Sequence, residues 1–304
     1  MTRAEGRTVA PPHGHCPATG VEVVRAGALS TVQDLGRPGF AHLGVPHSGA
    51  LDVPAHALAN RLLGNPPGAA TLETTLDGVA LRALAPVTVA VTGAPCAVRA
   101  AGRPAAWGAP VRLAAGAVLE VGPALRGVRG YVAVRGGFAV EPVLGSRSTD
   151  LLSGLGPAVL TAGTVLPVGP PPGGPVCGAD VLRLPAPPVE LVLPVLLGPR
   201  DDWFTAASVA ALGRARYRVS SAGNRIGLRT EGGPPLVRAR GGELPSEGMV
   251  RGAVQVPPDG MPVVFLADHP VTGGYPVLGV VPVAALHLAA QARPGTPVRF
   301  VPRG

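Results

Sequence analysis

The side chains able to do acid–base or anion chemistry gather in a few short stretches, each placed where an apolar run ends. The most suggestive lies toward the C-terminus. Two apolar runs of strand length, residues 253–256 and 262–266, are joined by Pro257-Pro258-Asp259-Gly260. That is strong turn chemistry, because glycine accepts positive φ and proline presets a negative one. The first run carries Gln255, and the second leads into Asp268, His269 and Thr272-Gly273-Gly274-Tyr275. A tight turn at Gly273 and Gly274 would let a ligand approach the backbone and would bring Asp268 and Tyr275 toward one cleft. There Asp268 could accept a proton and Tyr275 donate one, with Glu247 of segment 245–248 in reach of the same site. The structural alternative has Asp268 accepting hydrogen bonds from turn amides and Tyr275 packing its ring with the hydroxyl in water.

Two other clusters pose the same choice. The Gly- and Pro-rich loop from Gln33 to Asp52 holds Gln33, Asp34, Arg37, His42, His47 and Ser48, which could all face one cavity. Alternatively, Asp34 and Arg37 pair locally and fix the loop. Residues 145–150 set Arg147 between Ser146 and Ser148, followed by Thr149 and Asp150. These donors suit a carboxylate or other oxyanion, and Arg147→Ala would then raise the substrate requirement. The same residues also suit a turn with an N-cap.

Several chemistries are excluded outright. The chain contains no lysine, so its charge of +8 comes from arginine alone. No Schiff base, pyridoxal phosphate linkage or Walker-type phosphate lysine is possible, and biotin cannot be attached. Nucleophile-elbow, zinc and dinucleotide motifs are absent, and the tail cluster His13-Gly14-His15-Cys16 does not make a closed metal site, so no metal is expected. The arginines are scattered singly and aromatics are only 3%, which argues against nucleic acid and for carboxylate or phosphate recognition by individual arginines. Cys16, Cys96 and Cys177 are widely spaced and odd in number, as in a reducing compartment. With no apolar leader and no uninterrupted apolar span, the expected location is the cytoplasm, away from the membrane.

The elements that must position these groups are mostly strands. Gly 44 and Pro 37 punctuate apolar runs without a fixed period, the pattern of many short strands joined by tight turns. Five runs between residues 79 and 121 read as a meander or barrel. A helix after Asp52, with Pro54 in its first turn, buries Ala55, Leu58, Ala59, Leu62 and Leu63. A second, over 203–212, is capped by Asp201 or Asp202, and a third starts at Pro282 and runs through Gln291. Glu73, in a Thr-rich strand, faces either solvent or the site. The chain divides into a loose tail (1–20), a first β unit (21–170), a Pro/Gly linker (171–188) and a second β unit (189–304). The fold class is mainly β with a few short helices.

Ordered motifs also carry a family resemblance. Val32-Gln33-Asp34-Leu35-Gly36-Arg37-Pro38-Gly39, Ser48-Gly49-Ala50-Leu51-Asp52, residues 144–150, Gly198-Pro199-Arg200-Asp201-Asp202-Trp203-Phe204, Pro245-Ser246-Glu247-Gly248 and the 252–281 stretch occur in sequence. Together they resemble the carboxyltransferase A/B-domain family, which includes KipA proteins, the second subunit of allophanate hydrolase and the C subunit of 5-oxoprolinase. The resemblance implies two cyclophilin-like β-barrel subdomains. It implies a partner, a KipI-like subunit with the C and D domains, and with a lactam-utilisation subunit an ATP-dependent cleavage of 5-oxoproline to glutamate. The substrate would be a small amide or carboxylate and ATP would act through the complex. Biotin would enter only on a separate carrier, as in a urea or allophanate-type carboxyltransferase. A KipA-type regulatory binding role without turnover is the remaining alternative. The chain alone would be inactive. It departs from relatives at Val277, where many carry lysine after T-G-G-Y-P, and at His269-Pro270-Val271, where Arg-Gln-Thr is common. A protonated His269 would partly replace the missing cation.

Overall fold

A computed structural model describes residues 19–176, 186–242 and 244–303. The tail cysteine and histidines, Cys177 and the centre of the proposed linker lie outside the described residues. The first half is two sheets face to face. One orders its strands Val165–Pro167, Gly20–Arg25, Val79–Ala83, Val118–Ala124, Cys96–Ala100 and Arg103–Ala105. The other orders Leu29–Gln33, Thr71–Thr75, Arg129–Val134, Val87–Gly93 and Pro110–Leu113. Alternation along each strand turns Val23, Val32, Leu72, Leu81, Val91, Leu119 and Val132 into one core between the sheets. The five runs read as a meander therefore alternate between two sheets. Each sheet needs an inward apolar row, and strand alternation alone does not say which sheet a run joins.

Helix α1 (Val53–Leu62) covers the outer face of the second sheet and packs on Ala90, Tyr131 and Ala133. Asp52 caps it by accepting from Ala55 N at 3.0 Å.

The second half is a closed seven-stranded barrel ordered Leu191–Leu197, Val277–Val280, Ala253–Gln255, Val263–Phe265, Gly227–Glu231, Tyr217–Val219 and Pro297–Arg303. Its interior holds Leu193, Tyr217, Val254, Leu278 and Phe300. The helix expected over 203–212 is split. A 3-10 turn, Asp201–Trp203, ends at the extended Thr205, whose hydroxyl caps α2 (Ala206–Leu212). Threonine wins the cap because it stands three residues before Ser208 N with extended φ/ψ, which the two aspartates do not. The third helix is likewise a 3-10 turn, Val283–Ala285, running into α3 (Leu286–Ala290).

The halves share one seam. Leu51, from the first half, is buried in the barrel's core cluster, a burial worth roughly 1.5–3 kcal/mol for such a side chain. Gln291, at the end of α3, accepts from Val128 N and Arg129 N and donates to Asp52 Oδ2 and Arg129 O. Among the described residues no helix is long and apolar enough to cross a membrane.

Candidate functional site

The candidate site is the polar part of this seam. Its centre is Arg225, which is completely buried. Its Nε and Nη2 donate to Asp268 at 2.9 and 3.0 Å, its Nη1 donates to Glu73, and its Nη2 also reaches Gly49 O at 2.7 Å. Asp268 further accepts from Ser48 Oγ at 2.8 Å and Leu151 N at 3.1 Å. Glu73 accepts from Leu51 N at 2.9 Å and from the Tyr131 hydroxyl at 2.8 Å. Burial alone would raise the Glu73 pKa, but Arg225 and Arg129 overcome it and hold the carboxyl below its ordinary range. Ser48 sits in the left-handed region at φ 55°, and its N–H bonds Ala267 O across the seam. Gly36 and Gly49 let the two arms of this loop close on each other and so present Ser48, since a Cβ on either would lie under 3.0 Å from the opposite arm's backbone.

A second network forms behind it. Asp34 Oδ1 accepts from Gly36 N, Ser146 Oγ and Ser148 Oγ, and Oδ2 from Arg147 N. Arg37 donates to Ser148 O, while its Nη1 lies 4.0 Å from Asp150 and has no hydrogen-bond acceptor among the described residues. Gln33 donates to Thr149 O at 2.9 Å. The loop and the 145–150 cluster, read from sequence as separate groups, thus come together, mainly to bind each other. Arg147 in particular points away, with Nε on Val140 O at 2.7 Å. His42 is exposed and bonds only Gly39 O, three residues back.

The third group is a two-stranded ribbon pairing Glu247–Gly248 with Thr272–Gly273. Gln255 donates to Tyr275 O at 3.2 Å and lies where a Gly273 Cβ would come within 2.8 Å of it. Glu247 is ion-paired to Arg200, which holds its carboxyl below the usual range through that hydrogen bond. Gly274 and Thr272 are exposed. Tyr275 is 45% exposed, with the Arg238 guanidinium over its ring.

The expected acid–base pairing of Asp268 with Tyr275 is therefore corrected. Asp268 is 0% exposed and saturated by four donors, so its carboxylate is a structural keystone without access to a substrate. Glu247 is held by Arg200 in an ion pair that stays partly exposed. His269 is also not the expected cation: burial lowers its pKa, and nearby Arg251 lowers it further, so it is neutral at neutral pH. Its ring stacks on Phe265. Val277 belongs to an apolar cluster with Met249, Ala253, Val263 and Phe265, so a lysine there would have to leave that cluster to reach water.

What opens to solvent is a cleft of about 220 Å³ between the 37–47 loop and segments 249–251 and 269–271. Arg37, His47, Arg251 and His269 line it with Met249 and Phe40. Arg251 crosses the seam to Ala50 O at 3.3 Å, and its Nε has no acceptor among the described residues. Burial presses its pKa down, and Arg225 adds to this, so an anion in the cleft would be attracted and the charge relieved. Burial likewise lowers His47. Arg251, whose Nε–H meets no acceptor among the described residues, stands beside two neutral imidazoles and makes an anion site. The fully buried Arg37 guanidinium is turned to Ser148 O and Asp150 and adds only its charge. Among the described residues no group of His, Cys, Asp and Glu could hold a metal.

Arg225, Arg251 and the commitment of Glu73 to the seam escape sequence reading. Arg225 stands in a Ser-Ala-Gly-Asn-Arg turn, and its partners lie 43 and 152 residues away. Arg251 looks like any lone arginine next to a glycine.

This architecture of paired sheets, closed barrel and seam agrees with known proteins. The family described as carboxyltransferase domain, subdomain A and B, matches residues 43–302, and the chain belongs to that family. Within it, the chain is 38% identical over 284 residues to the 5-oxoprolinase C subunit of Escherichia coli, with 92% of this chain and 90% of that one covered. It is 32% identical to the 5-oxoprolinase C subunit of Haemophilus influenzae, again over 92% and 90%. The urea amidolyase of Lachancea kluyveri is 33% identical over 92% of this chain, which spans only 17% of that protein. The crystal structure of the K. lactis urea amidolyase superposes with a TM-score of 0.87 at 30% identity, over 96% of this chain and 19% of that one.

Proposed function

We propose that this chain is the C subunit of a 5-oxoprolinase, cleaving 5-oxoproline to glutamate with ATP, and that its seam cleft receives the carboxylate of the substrate. The observation that carries this reading is the 38% identity over 284 residues to the C subunit of the E. coli 5-oxoprolinase, above the 33% shared with the urea amidolyase of Lachancea kluyveri. The chemistry of the cleft supports it: Arg251 offers a donor to a monoanion, and the buried Arg37 adds positive charge behind it. ATP binding and the groups that break the lactam bond belong to partner subunits, one of them KipI-like with the C and D domains. The chain alone is inactive because its own carboxylates, Asp268, Glu73 and Asp34, are spent on holding the seam and the loop. It carries no covalent cofactor, and it works in the cytoplasm.

The test is reconstitution with the two partner subunits and measurement of ATP-dependent glutamate release. Full activity requires this chain. Release at the same rate when it is omitted, or carboxylation of urea with no action on 5-oxoproline, rejects the reading, and the second outcome would favour the urea-type carboxyltransferase. In the same assembly Arg147→Ala should leave the KM for 5-oxoproline unchanged and cost the fold about 0.5–1.5 kcal/mol by urea denaturation, the worth of one hydrogen bond. A large rise in KM would return Arg147 to the site.

A further inference from the structure

The seam contains a second cleft of about 140 Å³ that shares no lining residue with the first. We propose that it is a binding site for a small aliphatic monocarboxylate, with Arg129 as its cation. Its walls are mainly apolar on both sides of the seam, Leu51 and Val128 from the first half and Leu228, Leu266 and Ala289 from the second, with Thr75, Ser220 and Asn224 as polar members. Among the described residues one charged side chain lines it. The Arg129 side chain is nine-tenths buried, at 9% exposure, yet among the described residues its guanidinium makes a single hydrogen bond, from Nη1 to Thr75 Oγ1. Its Nε has no acceptor. Glu73 Oε1 stands 4.0 Å away and is already taken by Arg225.

A guanidinium has five donors in a fixed fork, and burying them unmet is costly. The missing partner is an acceptor of one negative charge, because Glu73 already supplies part of the neutralisation. Phosphate, a dianion that favours several cations and backbone donors, fits one half-neutralised arginine poorly. The apolar walls call for a hydrocarbon body of a few carbons on that acceptor. Burial lowers the Arg129 pKa while Glu73 raises it, so a bound carboxylate would stabilise the charged form.

The probe is butyrate, followed by calorimetry and saturation-transfer NMR on the full chain at constant ionic strength, with butan-1-ol as the uncharged control. Saturable butyrate binding is expected, retained in Arg251→Ala and weakened at least about tenfold, 1.4 kcal/mol, in Ala289→Leu, which fills the cleft. Ala290→Leu, at the neighbouring lining position, serves should Ala289→Leu not fold. The proposal is overturned if butyrate does not saturate, if butan-1-ol binds equally well, if Arg251→Ala abolishes binding, or if the filled variant binds as the parent does.

Discussion

Arg225→Met should lower the stability of the chain by about 3–5 kcal/mol, the cost of removing one partner from a buried charge cluster. In a domain of this size that corresponds to a fall in Tm on the order of 10 °C. The substitution leaves Glu73 and Asp268, both essentially unexposed, facing each other without their shared cation. Neutralising all three groups, in Arg225→Met with Glu73→Gln and Asp268→Asn, should recover much of the loss, since a buried ion cluster is often no better than a neutral packing of similar shape. The pH dependence should change sign. In the parent the Glu73 pKa is held below its unfolded value, so its contribution is present above about pH 4.3 and is lost as pH falls through the folded pKa. In Arg225→Met the burial that opposes ionisation loses its main counterweight, so the variant should gain stability relative to the parent as pH falls from about 8 to about 5. A single variant as stable as the parent would show that the seam is held by apolar contacts such as Leu51. A triple variant no better than the single would show that the charges themselves, not only their pairing, hold it.

Much of this arrangement is legible in the residues themselves. Strand positions follow from alternation and from Gly and Pro punctuation, and α1 from its cap and apolar spacing, because these depend on neighbours a few residues away. The short strand Arg103–Ala105 is missed because its Arg-Pro-Ala carries no alternation and only pairs with Cys96–Ala100 across a turn. That Gln33, Asp34, Arg37 and Ser48 share one polar loop, and that Asp34 could brace it, is anticipated, while the meeting of this loop with Ser146 and Ser148 is not. Whether a carboxylate serves a substrate or the fold depends on which donors reach it. For Asp268 these come from Ser48, Leu151 and Arg225, up to 220 residues distant. Only the closure of the barrel on the first half brings them together. Polar residues at the ends of strands mark the seam correctly, and the seam then consumes most of them.

The arginine that the seam leaves free gives the second large expected effect. Arg251 lines the cleft, carries an Nε–H without an acceptor among the described residues, and makes one long hydrogen bond of 3.3 Å to Ala50 O. Loss of a charge-assisted hydrogen bond to a substrate carboxylate costs about 1.5–3 kcal/mol. For Arg251→Ala in the reconstituted assembly this is a rise in KM for 5-oxoproline of about 10- to 150-fold. The turnover number should stay near the parent's, because the group holds substrate and transition state alike. Lysine at 251 should restore part of the affinity as a point charge without the planar fork. The folded chain should survive, since only one weak internal hydrogen bond is removed. The decisive measurement is therefore the KM and kcat of Arg251→Ala against the parent, in assemblies shown to contain equal amounts of this chain. A KM raised at least tenfold with kcat nearly unchanged is the predicted result, and an unchanged KM would mean that the substrate carboxylate is bound elsewhere.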